Sequence, residues 1–328
     1  MSTSIRTRIL STALTMMALT AIVAPQATQA EEYPSRAVNL VVPFGAGSVT
    51  DLLARIVAKQ LTESLGQSVI VQNKAGAGGN IGAAEVATAA ADGYTLLLGP
   101  TSTNAVNPSL YKNLKFDPLR DFAPITNVAT VANILVVHPD IPAKTVKELI
   151  ALLPQKQYAY ASGGTGGSMH LAAELFKSLT NHDMLHVPYK GGSDALADLL
   201  SGRVQVMFCN LPVCLPHVKS GKLHALAVTS SKRSVLLPEV PTMAQAGLPS
   251  YEVNGWFGLF APAKVEPAII EKLNAETRKV LDMPQVKQQL LAQGAEPAGG
   301  SSADFAKFVH DEHDKWAKVI KDAGIKVE

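Results

Sequence analysis

Twice in this sequence an apolar run passes directly into a glycine-rich loop that opens a helix, and that repeated unit constrains the fold more than any other feature. The first copy runs from Leu40-Val41-Val42-Pro43-Phe44 through Gly45-Ala46-Gly47-Ser48-Val49-Thr50 into a helix from Asp51. The second runs from Tyr158-Ala159-Tyr160-Ala161 through Ser162-Gly163-Gly164-Thr165-Gly166-Gly167-Ser168 into a helix from Met169. Further apolar runs at 69–71, 95–98, 134–137, 204–208, 225–228 and 257–260 alternate with helical patterns such as Leu52, Leu53, Ile56, Leu61 and Leu65, closed by Gly66. Alternation of this kind predicts an α/β protein with buried strands in largely parallel sheets. The last quarter is expected to be mostly helical, with Phe305, Phe308, Trp316, Val319 and Ile320 packing back on the first half.

Glycine lets the backbone turn tightly and approach a ligand, and the free amides at a helix start carry partial positive charge. Each loop can therefore cradle an anion, with Ser48, Thr50, Ser162, Thr165 and Ser168 adding hydroxyl donors. Taken singly, each is also an ordinary turn with a Ser or Thr N-cap. Two of them in separate halves point to a shared cleft. Neither loop has the lysine of a Walker loop, and Gly76-Ala77-Gly78-Gly79-Asn80-Ile81-Gly82 places its third glycine one position late for a dinucleotide fingerprint. No cofactor is expected.

Residues 1–30 read as a cleaved secretory signal: Arg6 and Arg8 precede an uncharged apolar stretch that ends in Thr28-Gln29-Ala30. That stretch is short and broken by Ser11, Thr12, Thr15 and Thr20, so the mature chain is expected to float free without inserting in a membrane. The signal holds two of the 29 basic residues and none of the 27 acidic ones, which leaves 27 of each and no basic footprint for nucleic acid. The remaining length suggests two lobes, expected at 31–131 plus 253–328 and at 132–252, with crossings near Asn133 and Trp256.

Enzyme readings find little support. There is no Gly-x-Ser-x-Gly elbow. His182 with His186, and His310 with His313, have a spacing that a metal could use, but a solvated face or a strand start accounts for them, and no metal is expected. Cys209 and Cys214 are the only cysteines. They are expected to pack as small hydrophobes; their spacing does not settle whether they are bridged.

Several segments, taken in order, resemble one family. They are Tyr33-Pro34-Ser35-Arg36, Val41-Val42-Pro43-Phe44, Asn73-Lys74-Ala75-Gly76-Ala77-Gly78-Gly79-Asn80-Ile81-Gly82, and Asp92-Gly93-Tyr94-Thr95-Leu96. Later come Asn107-Pro108-Ser109-Leu110-Tyr111, His186-Val187-Pro188-Tyr189-Lys190-Gly191, and Trp256-Phe257-Gly258-Leu259-Phe260-Ala261-Pro262. The chain resembles substrate-binding proteins of the tripartite tricarboxylate transporter type, the TctC-like or Bug family of periplasmic receptors. The resemblance implies a monomeric, non-enzymatic, type II-like Venus-flytrap binding protein, whose two lobes are joined by two crossover strands and close on a small carboxylate. It implies delivery to integral membrane transporter subunits, with a two-component sensor kinase as the alternative recipient; that the chain is itself an exported hydrolase is the more distant alternative reading.

The contacts it implies are Phe44, Gly47, Ser48, Val49, Thr50, Thr101, Ser102 and Thr103 from lobe one. Lobe two would add Ser162, Gly163, Thr165, Gly166, Gly167, Ser168, Cys209 and Asn210. Two positions depart from the family pattern: Val49 stands where a polar residue is usual, and Cys209 where an aspartate is usual. Loss of that carboxylate removes a partner for an ammonium group, so a plain aliphatic or aromatic mono- or dicarboxylate is expected over an amino acid.

Overall fold

The computed structural model describes residues 33–322 and 324, so the expected signal at 1–30 lies outside the described residues. Among the described residues there are ten strands: β1 (Val38–Val42), β2 (Val69–Asn73), β3 (Thr95–Pro100), β4 (Phe122–Val137), β5 (Ala159–Ser162), β6 (Leu185–Pro188), β7 (Val206–Asn210), β8 (His224–Val228), β9 (Asn254–Pro262) and β10 (Ala295–Gly299). The α-helices are α1 (Val49–Leu65), α2 (Asn80–Ala87), α3 (Asn107–Leu110), α4 (Val146–Leu152), α5 (Ser168–Thr180), α6 (Gly192–Leu200), α7 (Leu211–Lys219), α8 (Pro267–Asp282), α9 (Pro284–Ala292) and α10 (Ser302–Asp322).

The strands hydrogen-bond in the order β2-β1-β3-β9-β4-β7-β5-β6, with β10 and β8 also on β4. Pairing is parallel for β1 with β2 and β3, and for β5 with β6 and β7. Every pairing made by β4 or β9 is antiparallel. The sheet is therefore mixed, which corrects the largely parallel expectation. Its parallel parts are the two copies of the strand-loop-helix unit, and β4 and β9 are the strands that run between them.

The 16-residue strand β4 organises the molecule. From Phe122 to Ala132 its partner is β9; from Asn133 to Val137 its partners are β7 and, over 134–137, β8. The chain returns beside the same point: Val253 donates to the Thr229 carbonyl, Thr229 is hydrogen-bonded to Asn133, and Asn254 pairs with Ala132. Two strands thus pass side by side between two α/β halves.

Period-two alternation divides the second half into two cores. Leu135, Val137, Val206 and Phe208 face α5 with Leu171 and Phe176, while Ile134, Val136, Met207 and Cys209 face α6 and α7 with Leu196, Leu199 and Leu215. In the first half α10 lays Phe305 against Trp256 and Phe260, at ring centroids 5.9 and 5.1 Å away. The Trp256 and Trp316 indole N–H groups both donate to Glu312 at 3.0 Å, which satisfies two large buried side chains with one carboxylate. Among the described residues, no helix is long and apolar enough to cross a membrane.

Candidate functional site

Each glycine-rich loop is shaped by polar groups that point back into the protein. In the first, Ser48 caps α1 by accepting the Asp51 N–H at 3.2 Å. Asp51 is buried and accepts hydrogen bonds at 3.0 Å from the Gly47 amide, Arg55 Nε and Asn73 Nδ2. Burial alone would raise its pKa, but the bonds from Arg55, Gly47 and Asn73 hold the carboxyl below its ordinary value. Asn73 also donates to the Phe44 carbonyl at 2.9 Å, so one buried carboxylate and one amide hold both ends of the loop.

In the second loop, Ser162 Oγ lies 2.7 Å from His186 Nε2, and the Gly166 amide donates to His170 Nδ1 at 3.1 Å. Ser168, Asn210 and Asn133 form a triangle: Asn210 Nδ2 donates to Asn133 Oδ1 at 2.6 Å and to Ser168 Oγ at 3.2 Å. Asn133 is fully buried at the point where β4 changes partners, so the network joins α5, β7 and the crossing strand.

These loops face a common cavity, of which about 60 Å³ is open to the centre of a water molecule. A single buried water needs only about 10–15 Å³ on that measure, so several waters or one small solute fit. The cavity is lined by Phe44, Ser48, Val49, Thr50, Thr101 and Ser102 from the first half and by Gly163, Gly167, Ser168 and Asn210 from the second. The rest of the expected set is placed elsewhere. Gly47 is held by Asp51, and Thr103 is buried against Asn104 Oδ1 and the Pro100 carbonyl. Ser162 turns to His186, Gly166 packs at the seam between the halves, and Thr165 lines an outer recess with Tyr111 and Tyr189.

Cys209 is fully buried and bonded to Cys214, with Cα atoms 6.2 Å apart. The bridge ties the end of β7 to the first turn of α7; Cys209 faces the core beside α6 and α7, and the neighbouring Asn210 lines the cavity instead. Because the closed loop is short, chain entropy gives the bridge about 2 kcal/mol. Replacing both cysteines by alanine is expected to lower the unfolding free energy by about that amount in urea titrations.

The wall also holds Gly164 of the second loop and residues that the loop motif does not signal: Pro100, Met169, Gly191, Gly192, Val213, Gly255 and Phe257. Gly191 and Gly192 are the N-cap and first residue of α6. A Cβ added at Gly163 would lie 2.8 Å from the Gly192 nitrogen, so the two glycine segments approach each other closely beside the Met169 side chain. The starts of α1, α5, α6 and α7 thus border one cavity, whose lining includes no Lys, Arg, His, Asp or Glu. Helix starts supply unpaired N–H donors and a partial positive field, and in an apolar surround they attract an anion without a counter-charge. The other walls, Phe44, Val49, Met169, Val213 and Phe257, suit an apolar body attached to that anion.

The paired histidines take other roles. His186 stacks between Tyr160 and His170, His310 and His313 lie beside Asp314, and no cluster suited to a metal ion occurs among the described residues.

The chain matches the family model described as "Tripartite tricarboxylate transporter family receptor" over residues 53–325. It is 39% identical to Protein BugT of Bordetella pertussis over 325 residues, covering 98% of this chain and 99% of that protein. It is similar in structure to "R. palustris Rpa4515 with adipate", with a TM-score of 0.87 and 40% identity over 90% of this chain and 99% of that one. It is also similar to "MatC (Rpa3494) from Rhodopseudomonas palustris with bound malate", with a TM-score of 0.83 and 32% identity over 88% of this chain and all (100%) of that one. Since the agreement spans both halves and the crossing strands that frame the cavity, the chain belongs to the tripartite tricarboxylate transporter receptor family, the Bug solute-binding proteins.

Proposed function

We propose that this protein is a periplasmic receptor that captures a small carboxylate lacking an amino group and presents it to a membrane transporter of the tripartite tricarboxylate type. One observation carries the reading: the first turns of four helices border a small cavity with no charged side chain in its lining. A carboxylate is stabilised there by backbone amides and hydroxyls, whereas an ammonium group meets no carboxylate. Adipate and malate in two relatives' structures are in keeping with this chemistry.

The reading assigns 31–131 with 253–328 to one lobe and 132–252 to the other, because β4 exchanges its partners between Ala132 and Asn133 and β9 begins opposite that point. Ligand entry would bridge the loops at 44–50 and 163–168, with closure about the paired crossing strands. The seam is already in contact: Ser193 Oγ donates to the Gly47 carbonyl at 3.4 Å, and Gly166 packs against Asn107 and Leu110. The mature receptor acts without turnover.

A thermal-shift panel tests the chemistry. Mono- and dicarboxylates with aliphatic or aromatic bodies are expected to raise the melting temperature, by more as the concentration exceeds the dissociation constant. The matching α-amino acids and amines are expected to leave it unchanged. A shift produced by amines rather than acids would remove the anion reading.

A further inference from the structure

Behind the second glycine-rich loop lies a group of titratable side chains that ligand contact does not use. Tyr160 of β5, His186 of β6 and His170 of α5 form a stack, with ring centroids 4.8 Å apart for Tyr160–His186 and 4.2 Å for His170–His186. Around it stand Glu174 and Lys177 on α5 and Asp183 after that helix. Tyr160 donates to Glu174 at 2.6 Å, and Lys177 pairs with Glu174 at 2.8 Å and Asp183 at 2.9 Å. Glu174 is thereby engaged, and its nearest oxygen is 3.9 Å from His170 Nε2, beyond a hydrogen bond.

Among the described residues, the hydrogen-bond partner of the His170 ring is the Gly166 amide, whose N–H it accepts on Nδ1 at 3.1 Å. A backbone N–H can only donate, so Nδ1 must be unprotonated, which fixes the neutral tautomer. Gly166 is buried, has φ of 83°, and faces Asn107 and Leu110 of the opposite half, so its placement sets both the loop and the seam. Burial, aided by the Lys177 ammonium, pushes His170 down to about 4, and burial with His170 alongside pushes His186 down to about 3.

We propose that His170 is a positioning residue for ligand capture: as a neutral acceptor it holds Gly166, and with it the 163–168 loop, in the shape that completes the cavity. Protonating Nδ1 replaces an acceptor with a donor facing another N–H, which expels Gly166 and opens the seam. Capture is then sensitive to acid. The sign for folding is the same: the unfolded chain takes up the proton near its ordinary histidine pKa of about 6.5, the native state only near 4, so stability falls as pH drops across that interval. The ligand part of this proposal rests on the carboxylate reading above; the loop part does not.

Amide exchange of Gly166 in the ligand-free protein at pH 7 tests the loop part directly. His170→Leu, which removes the acceptor, is expected to speed exchange at least tenfold, while His170→Asn, whose Oδ1 can take the place of Nδ1, is expected to restore protection. On acidification the Gly166 amide resonance is expected to titrate in the wild type with a midpoint near pH 4 and not in His170→Asn. Circular dichroism confirms that each variant is folded; if His170→Leu unfolds, the titration comparison with His170→Asn decides. Equal exchange in wild type and a folded His170→Leu overturns the proposal, as does an unchanged acid titration in His170→Asn. Adipate is the probe for the ligand part: His170→Asn should match the wild-type thermal shift at pH 7, and His170→Leu should lose most of it. Absence of an adipate shift in every variant counts against the carboxylate reading, while the amide data still decide the role of His170.

Discussion

Gly163→Val is expected to weaken binding of the preferred acid about 100-fold, close to 2.8 kcal/mol, while the protein stays folded. Its φ lies outside the left-handed region, so valine is compatible with the backbone itself. The conflict lies between segments: the new Cβ would sit 2.6 Å from Met169 Cε and 2.8 Å from the Gly192 nitrogen. Met169 can yield because its side chain is flexible, but the α6 backbone must move away. That separates the first turns of α5 and α6 and moves donors out of reach of a common anion. Calorimetry with the tightest acid found by thermal shift measures the loss. Unchanged affinity would show that these two helix starts do not share the ligand.

Gly258→Ala is expected to be the most destabilising single-methyl change, at about 3 kcal/mol. Gly258 lies in the middle of β9, between its partners Gly99 of β3 and Asn127 of β4, and the Phe305 ring occupies the space a Cβ would need. Phe305 cannot turn aside easily, since it also contacts Phe260, Trp256 and Phe308. Either α10 lifts from the sheet or β9 shifts against both partners. For a chain of this size about 3 kcal/mol corresponds to a melting temperature lower by roughly 5 °C. A Phe305→Ala background should relieve most of the added strain, because the clash involves that ring; equal costs in both backgrounds would place the strain elsewhere.

The glycine-rich units were legible because their local chemistry is self-contained. The run Leu40-Val41-Val42 that opens the first unit lies in β1, and Ser48 caps α1 as a Ser N-cap would. The first part of β4 was not legible, since Thr126, Asn127 and Thr130 interrupt the apolar pattern; those groups are buried or half-buried within the pairings with β9 and β10. β10 lies in the quarter expected to be mostly helical; Pro297 and Gly299 fall within its five residues, and it stands as a strand because it pairs with β4 alone.

At the site, the motif named the two loops, and the family resemblance implied the end of β7. It could not distinguish residues that line the cavity from those that hold the loop from behind, because Ser162 and Ser168 look alike in sequence and face opposite ways. Gly191 and Gly192 stood in plain view within the His186–Gly191 segment and the residue after it. A strand followed by paired glycines and the Ser193-Asp194 start of an apolar periodic run is the same signal as in the other two loops, on a shorter scale. Met169, Val213 and Phe257 carried no signal of their own, since an apolar residue in a cavity wall and one in a core have the same periodicity. The bridge between Cys209 and Cys214 depended on a Cα separation that only the turn from β7 into α7 sets.

The measurement closest to the central claim is isothermal titration of the folded protein at pH 7.5 with adipate, malate, benzoate and a longer aliphatic acid, each beside its amino-bearing analogue where one exists. The account predicts saturable one-to-one heat with at least one acid and none with that acid's amino analogue. Heat with amino acids but with no plain acid would contradict the uncharged, helix-lined cavity as the ligand site, and no heat with any acid would contradict carboxylate capture itself.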